Sequence, residues 1–459
     1  MMQSSFNHAP MPKGPAGYPL LGHAPQFLRD RLGFLLRCAC EYGEVVTLNI
    51  GGETCLLTSP EDIKHVLVNN PDNYDKSPRL TGPKGKLLSG EGLLTSVGAA
   101  HLRQRRMLQP VFYRRVIESF AETVTNTTEQ ILAGWEDGSE IDINREMSTL
   151  AQRVIIRTLF GLDFKDEAEQ LADAVTARRH YFEHVFFSMV PFPEHLPPWK
   201  RHDYRKAMNY IDETIYREAR TRREASGPGS DMLSMLLRAR YTDGTGMTDR
   251  QIRDEVMTFL ITGYETIAEA LTWTWYLLSQ HSDEETKFRA EVRDVLRGRT
   301  PSAEDLPQLQ YTGMVLSESI RLYPPTWIFI RIARQADVLP SGATITAGAK
   351  LYLSPYVMHR NPRYFPDPDR FDPERFTEAA KKERPQFAYF PFGGGARVCI
   401  GEHFAKMEGI LVLAMIAQRF KLTLVPGQKI IPEPKMTLRP KNGIRMRMED
   451  SQLVDGGAR

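Results

Sequence analysis

Phe392-Gly-Gly-Gly-Ala-Arg-Val-Cys-Ile-Gly401 is the stretch from which the rest of the chain is read. Three successive glycines let the backbone turn tightly and approach a flat ligand closely. Cys399 follows, just ahead of Phe404, Met407, Ile410, Leu411, Leu413, Ala414 and Ile416, which recur at helical spacing. That spacing places a thiol at a helix N-terminus, where unsatisfied N–H groups and the helix dipole favour the thiolate.

Three readings compete for such a loop. A lone cysteine is ordinarily a small buried hydrophobe. A strand entering Gly393-x-Gly395 and opening a helix would suit a dinucleotide, but Val398 stands where the third glycine belongs. A thiolate held among amide donors is also what a soft iron ligand requires, because the donors set how much electron density sulfur gives the metal.

With Phe392, Gly395, Arg397, Cys399 and Gly401 in register, the loop resembles the haem-binding loop of the cytochrome P-450 family. The resemblance implies iron protoporphyrin IX (haem b) as cofactor and Cys399 as its metal ligand. It also implies a mainly α fold with a small β-rich region, a long central helix over the haem and a triangular helical domain plus small sheets.

The bulk properties agree with an enzyme of this kind. At 459 residues and 41% apolar, the chain can bury a large core. No long linker or fixed-period repeat divides it, so residues 1–459 are expected to form a single domain with an extended lead-in at 1–22 and a flexible tail at 450–459. A net charge of +2 and a pI near 8.2 argue against a dedicated nucleic-acid binder. Cys38, Cys40, Cys55 and Cys399 form neither a disulfide framework nor a zinc pair. Residues 1–22 are polar and proline-rich, without a signal-peptide core or a membrane span. The expectation is a soluble, cytoplasmic monomer.

Further motifs follow the order of that family along the chain. His101 and Arg105 sit at i, i+4 in His-Leu-Arg-Gln-Arg and can donate to one anion; alone they read as a solvated face, and by resemblance they bind haem carboxylates. Thr248-Asp-Arg-Gln251 is a capping box opening a pattern that runs to about Gln280. At ~1.5 Å per residue this is a rod of roughly 48 Å. Its middle reads Phe259-Leu-Ile-Thr262-Gly263-Tyr264-Glu265-Thr266. Taken alone it is a kinked core helix; by resemblance Glu265 and Thr266 are the catalytic pair that delivers protons to bound oxygen, and Gly263 leaves room above the ligand. Thr262 departs from the usual alanine or glycine, and Ile267 from a common hydroxyl residue.

Glu318-Ser-Ile-Arg321 reads locally as a surface pair, whereas in the family it is buried and joined by an arginine matched here by Arg375. Arg331, ten residues beyond Arg321, matches a haem-carboxylate ligand, as does Arg397 in the cysteine loop, where Phe392, Gly393 and Gly401 shape the cradle. Resemblance assigns the substrate pocket to Leu93 and Leu94 in an irregular 76–96 loop, the aromatic Phe186 and Phe187, Phe259, Thr262, Thr326, Trp327 and Ile328, and a terminal hairpin carrying Met436 and Thr437.

These resemblances imply a monooxygenase that hydroxylates or epoxidises a hydrophobic small molecule, a terpenoid or fatty-acyl compound, with O2. No flavin- or nicotinamide-binding domain is present, so electrons are expected from a ferredoxin or flavodoxin with its reductase. Arg103, Arg106, Arg114, Lys381, Lys382 and Lys406 are candidates for its docking face. The rival readings are a peroxide-dependent or isomerising haem-thiolate enzyme, whose members often lack the acid–threonine pair, and a haem-binding sensor without chemistry.

Overall fold

The Thr248 hydroxyl oxygen accepts a hydrogen bond from the Gln251 N–H while the Thr248 N–H donates to the Gln251 side-chain oxygen. Two donors at the helix start are thereby satisfied, and the helix Asp249–Leu278 runs for 30 residues, about 45 Å. The structure, a computed structural model, describes residues 14–162, 166–187, 198–225, 227 and 229–450. These fall into two compact units.

The first unit comprises the described residues up to Ser77 together with Arg321–Cys399. Its centre is a five-stranded sheet in the order Val45–Asn49, Glu53–Leu57, Lys350–Leu353, Phe329–Ala333, Tyr74–Lys76. Gly51 and Gly52, both at positive φ, turn the first hairpin. The strand Lys350–Leu353 pairs parallel with Glu53–Leu57 and antiparallel with Phe329–Ala333. Its apolar face packs Leu57, Leu351, Leu353, Ile63, Phe365, Phe387 and Phe390 into one core cluster, which fixes the base from which the cysteine loop departs.

The second unit, Pro78–Ile320 with the residues from Ile400 on, is mainly helical. The long helix is buried on nearly every side, as expected of a spine that is apolar all round. Helix Ile143–Phe160 packs along it so closely that a Cβ at Gly263 would come within 2.9 Å of the Ile155 side chain. The helix Glu402–Arg419 begins three residues after Cys399 and buries the predicted apolar stripe except Ile410, which is half-buried.

Several local expectations change. The 76–96 segment is not irregular throughout: Pro78–Thr81 and Pro83–Ser89 are helices, each opened by a proline whose missing N–H costs nothing there. The expected terminal hairpin separates into two pairings. Phe420–Leu424 joins Arg445–Asp450, and Pro432–Pro434 joins Leu438–Pro440, so each strand of the expected hairpin finds a different partner.

Candidate active site

In the first unit the cysteine loop is held by its own backbone. The Cys399 N–H donates to the Phe392 carbonyl at 2.9 Å, and Gly393 and Gly395 adopt φ of 75° and 64°. That region favours glycine, and a Cβ on Gly395 would lie 2.0 Å from the Leu67 carbonyl oxygen. The glycines are therefore fixed by backbone conformation and by the close passage of residue 67. Cys399 is exposed, whereas Cys38 and Cys55 are buried. Burial pushes those two thiols up to about 11 and about 12, so neither supplies a thiolate at neutral pH.

Two arginines accompany the loop. Arg397 donates to the Tyr74 carbonyl at 2.6 Å and pairs with Asp75 at 3.2 Å. Arg331, 8% exposed on strand Phe329–Ala333, donates to the Ile330 carbonyl. Burial and then the Arg397 charge pull its guanidinium down to about 10, against the opposing effect of Asp75. Asp75 also pairs with Arg334, so positive charge exceeds negative around Arg331. A buried cation in that state suits an anionic ligand, which is what haem carboxylates provide. Trp327 is buried and its carbonyl accepts from Ser354 at 2.7 Å; Thr326 and Ile328 beside it are half-buried.

Beneath the loop, Arg321 is fully buried and donates to the carbonyls of His359 at 2.8 Å, Pro368 at 2.7 Å and Arg370 at 3.1 Å. Glu318, three residues earlier on the helix Gln310–Leu322, is also fully buried. The pair is thus a core feature, contrary to its local reading as a surface bridge. Arg375 donates to the Asp367 carbonyl at 3.1 Å, a support of the same loop. His359 accepts the Phe390 N–H at 3.1 Å, and burial holds its imidazole well below the ordinary range, hence neutral.

In the second unit, Thr262, Gly263 and Thr266 remain half-buried in the otherwise enclosed middle of the long helix. Thr258, Thr262 and Thr266 each donate back to the carbonyl four residues earlier, which parks their hydroxyl protons and leaves oxygen lone pairs available. Gly263 was expected to leave room above a ligand; its missing side chain instead admits Ile155.

Glu265 is buried and its Oε1 accepts from the Thr437 hydroxyl at 2.8 Å. Burial raises its carboxyl, opposed by Arg179 and by the Thr437 bond. Met436 is half-buried in the same turn. Four charged residues that sequence reasoning missed lie nearby. Glu183 pairs with Arg179 at 3.7 Å and with Arg439 at 3.0 Å, and Arg439 reaches Glu433 at 3.4 Å. A fifth, Glu269, follows Glu265 by one helical turn, a spacing legible in the sequence.

His101 is buried on helix Gly98–Leu108, and Arg105 on the same helix bonds Gln109 at 3.1 Å. Leu93 is buried, its N–H donating to Glu255 at 2.9 Å, and Leu94 is half-buried. Phe259 packs at a tilt against Phe112 at 5.1 Å, as does Phe186 against Phe182 at 5.2 Å, with Arg79 over the Phe186 ring. The Phe187 side chain lies outside the described residues. Of the basic docking candidates, Arg103, Arg114 and Lys406 pair with Asp243, Glu118 and Glu402, and Lys381 with Glu378, which leaves little net field from them.

A cytochrome P450 family model matches residues 12–448. The chain belongs to the cytochrome P450 family. Among relatives of this P450, cyclooctatin synthase of Streptomyces melanosporofaciens is 38% identical over 434 residues, 92% of each chain. Cyclooctat-9-en-7-ol 5-monooxygenase of the same organism is 37% identical over 90% of each chain. Pentalenene oxygenase of Streptomyces avermitilis is 30% identical over 95% of this chain and 96% of its own. The haem domain of cytochrome P450DA superposes with a TM-score of 0.86 at 25% identity, covering 96% of this chain and 98% of that one. A cyanobacterial P450 solved with retinoic acid gives 0.82. The P450 fold, mainly helical with small sheets, is as the loop implied, and this P450 is an oxidoreductase, a monooxygenase whose cofactor is haem b. No described helix is long and apolar enough to cross a membrane.

Proposed function

We propose that this P450 hydroxylates a terpenoid carbon skeleton, taking O2 and electrons delivered by a separate ferredoxin or flavodoxin. The observation that carries the substrate class is the near full-length likeness to enzymes named for cyclooctatin, cyclooctat-9-en-7-ol and pentalenene. The apolar character of Leu93, Phe186, Phe259 and Trp327 supports it. When bound, haem supplies oxygen activation at iron.

The chain's own residues would act as follows. Cys399, exposed at the end of a loop closed by Phe392, presents its thiolate as the iron ligand. Arg331 and Arg397 hold cofactor carboxylates, which for Arg331 removes the penalty of an under-compensated buried cation; the resemblance gives His101 and Arg105 the same role. Thr266, its own proton donated to the Thr262 carbonyl, offers an acceptor oxygen that holds a water, and Glu265 carries the proton delivered there. The burial that raises the Glu265 carboxyl favours its protonated, proton-donating form.

Two measurements test this reading. Titration of terpenoid hydrocarbons and alcohols against the ferric enzyme, followed by turnover with surrogate ferredoxin and reductase, should give spectral displacement of the axial water and singly oxygenated product. Binding without product for every such compound would refute the substrate class. Cys399→Ser should abolish the thiolate-type spectrum of the reduced carbon-monoxide complex, and its persistence would remove Cys399 from the ligand role.

A further inference from the structure

Glu265 and Glu269 occupy one face of the long helix a single turn apart. Both are buried, at 8% and 3% exposure. Each is bonded by a neutral donor: Thr437 gives its hydroxyl to Glu265, and Asn144 of helix Ile143–Phe160 gives its amide to Glu269 Oε2 at 3.0 Å. Asn144 also bonds the Thr272 hydroxyl at 3.3 Å, which fixes the amide and with it the carboxyl.

Two arginines and two further carboxylates surround this pair, and the arginines oppose its protonation without pairing with it. Arg179 and Arg439 face it from helix Asp166–Phe187 and strand Leu438–Pro440, and both are engaged by Glu183, with Glu433 adding a second carboxylate to Arg439. Tyr264 lies beside Glu265 and its phenol is pushed up by burial and then by that acid, so it stays neutral. Among the described residues neither Glu265 nor Glu269 enters an ion pair of its own. Ionising both would place two like charges one turn apart in a dry site, and such carboxyl pairs retain a proton.

We propose that Glu269 is a proton-storing residue acting through Glu265: it holds the proton shared by the pair and returns it to Glu265 each time Glu265 has given one up. This rests on the reading of Glu265 as the proton-delivering acid. In the transfer, the Glu269 O–H bond breaks as an O–H bond forms on the Glu265 carboxylate. The pair's total charge is unchanged, and a solvent proton later restores Glu269. Asn144 serves as the residue that keeps the stored proton's carboxyl turned along the helix.

Burial and then the Glu265 charge push the Glu269 carboxyl up to about 8, with Asn144, Arg439 and Arg179 opposing. The store should therefore be full at neutral pH and empty above it. The decisive measurement is infrared difference spectroscopy of the substrate-free holoenzyme as a function of pH, in H2O and D2O, on wild type, Glu269→Gln, Glu269→Asp and Glu265→Gln.

A protonated-carboxyl stretch, shifted in D2O, is expected in wild type at pH 7 and lost near pH 8; it should vanish in Glu269→Gln and persist, moved, in Glu269→Asp. A wild-type spectrum without such a band, or a band untouched by Glu269→Gln, overturns the proposal. In parallel, peroxide and water formation during substrate-free nicotinamide oxidation with surrogate ferredoxin and reductase is followed against pH. Wild type should lose rate above about pH 8, and Glu269→Gln should be several-fold slower with that alkaline limb absent. If Glu265→Gln leaves proton-dependent turnover unaltered, the underlying reading of Glu265 fails. If Glu265→Gln alters it while Glu269→Gln matches wild type at every pH, the storage role alone fails.

Discussion

Arg321→Lys isolates what a planar fork achieves where a point charge cannot. The guanidinium spans three carbonyls, those of His359 at 2.8 Å, Pro368 at 2.7 Å and Arg370 at 3.1 Å, and lies over the Phe365 ring at 5.1 Å. One ammonium cannot reach all three, because its donors diverge from a single nitrogen. With two carbonyls left unsatisfied in a fully buried site, each costing about 1–3 kcal/mol, the loss is roughly 2–6 kcal/mol. That is a large fraction of a typical stability of about 5–15 kcal/mol. The damage should spread along the chain, since His359 also accepts the Phe390 N–H two residues before the cysteine loop begins. Urea unfolding followed by far-ultraviolet dichroism and by haem absorbance should show an earlier midpoint in both signals, with the haem signal leading. A variant with unchanged midpoint and a full thiolate-type carbon-monoxide spectrum would refute the argument that the three-carbonyl fork supports the loop.

Two further outcomes follow from the same physics. Gly395→Ala should lose haem content and thiolate spectrum far more than Gly393→Ala, because both incur about 1–2 kcal/mol for positive φ but only Gly395 has backbone oxygen 2.0 Å from the new Cβ, against 3.5 Å to the Phe329 ring edge at Gly393; equal damage would show that conformation alone matters. Raising pH from about 5 to about 8 should lower unfolding free energy, since the folded Glu269 carboxyl, near 8 against an ordinary 4.5, binds a proton that the unfolded chain has released; the full shift corresponds to at most about 5 kcal/mol. Glu269→Gln should flatten that slope, and a stability curve identical to wild type across this range would contradict it.

The long helix was legible end to end because its signals are local: the Thr248 capping box and an uninterrupted apolar pattern. The two helices within 76–96 were not, since proline and glycine serve equally as turn formers and as helix openers or stops, and only the packing of the segment decides which. Gly263 shows the same division. Its position in the helix was plain, but whether its bare backbone faced a ligand or another helix depended on Ile155, more than a hundred residues away.

The sequence by itself pointed to the family and marked the thiol, the acid–threonine pair and the Glu-x-x-Arg spacing as candidates, because each is a short pattern of residue types; that Glu318 and Arg321 are buried came from the structure. Only the tertiary structure decided the electrostatic state of these groups. Glu265 and Glu269 are ordinary carboxyls in the sequence. Their behaviour as a proton-retaining pair arises from burial and from the closeness of the two acids, which outweigh the opposing Asn144, Thr437, Arg179 and Arg439, all brought from distant stretches into one enclosed cluster. Burial and charge balance are sums over everything nearby in space, and no local stretch of chain encodes that sum.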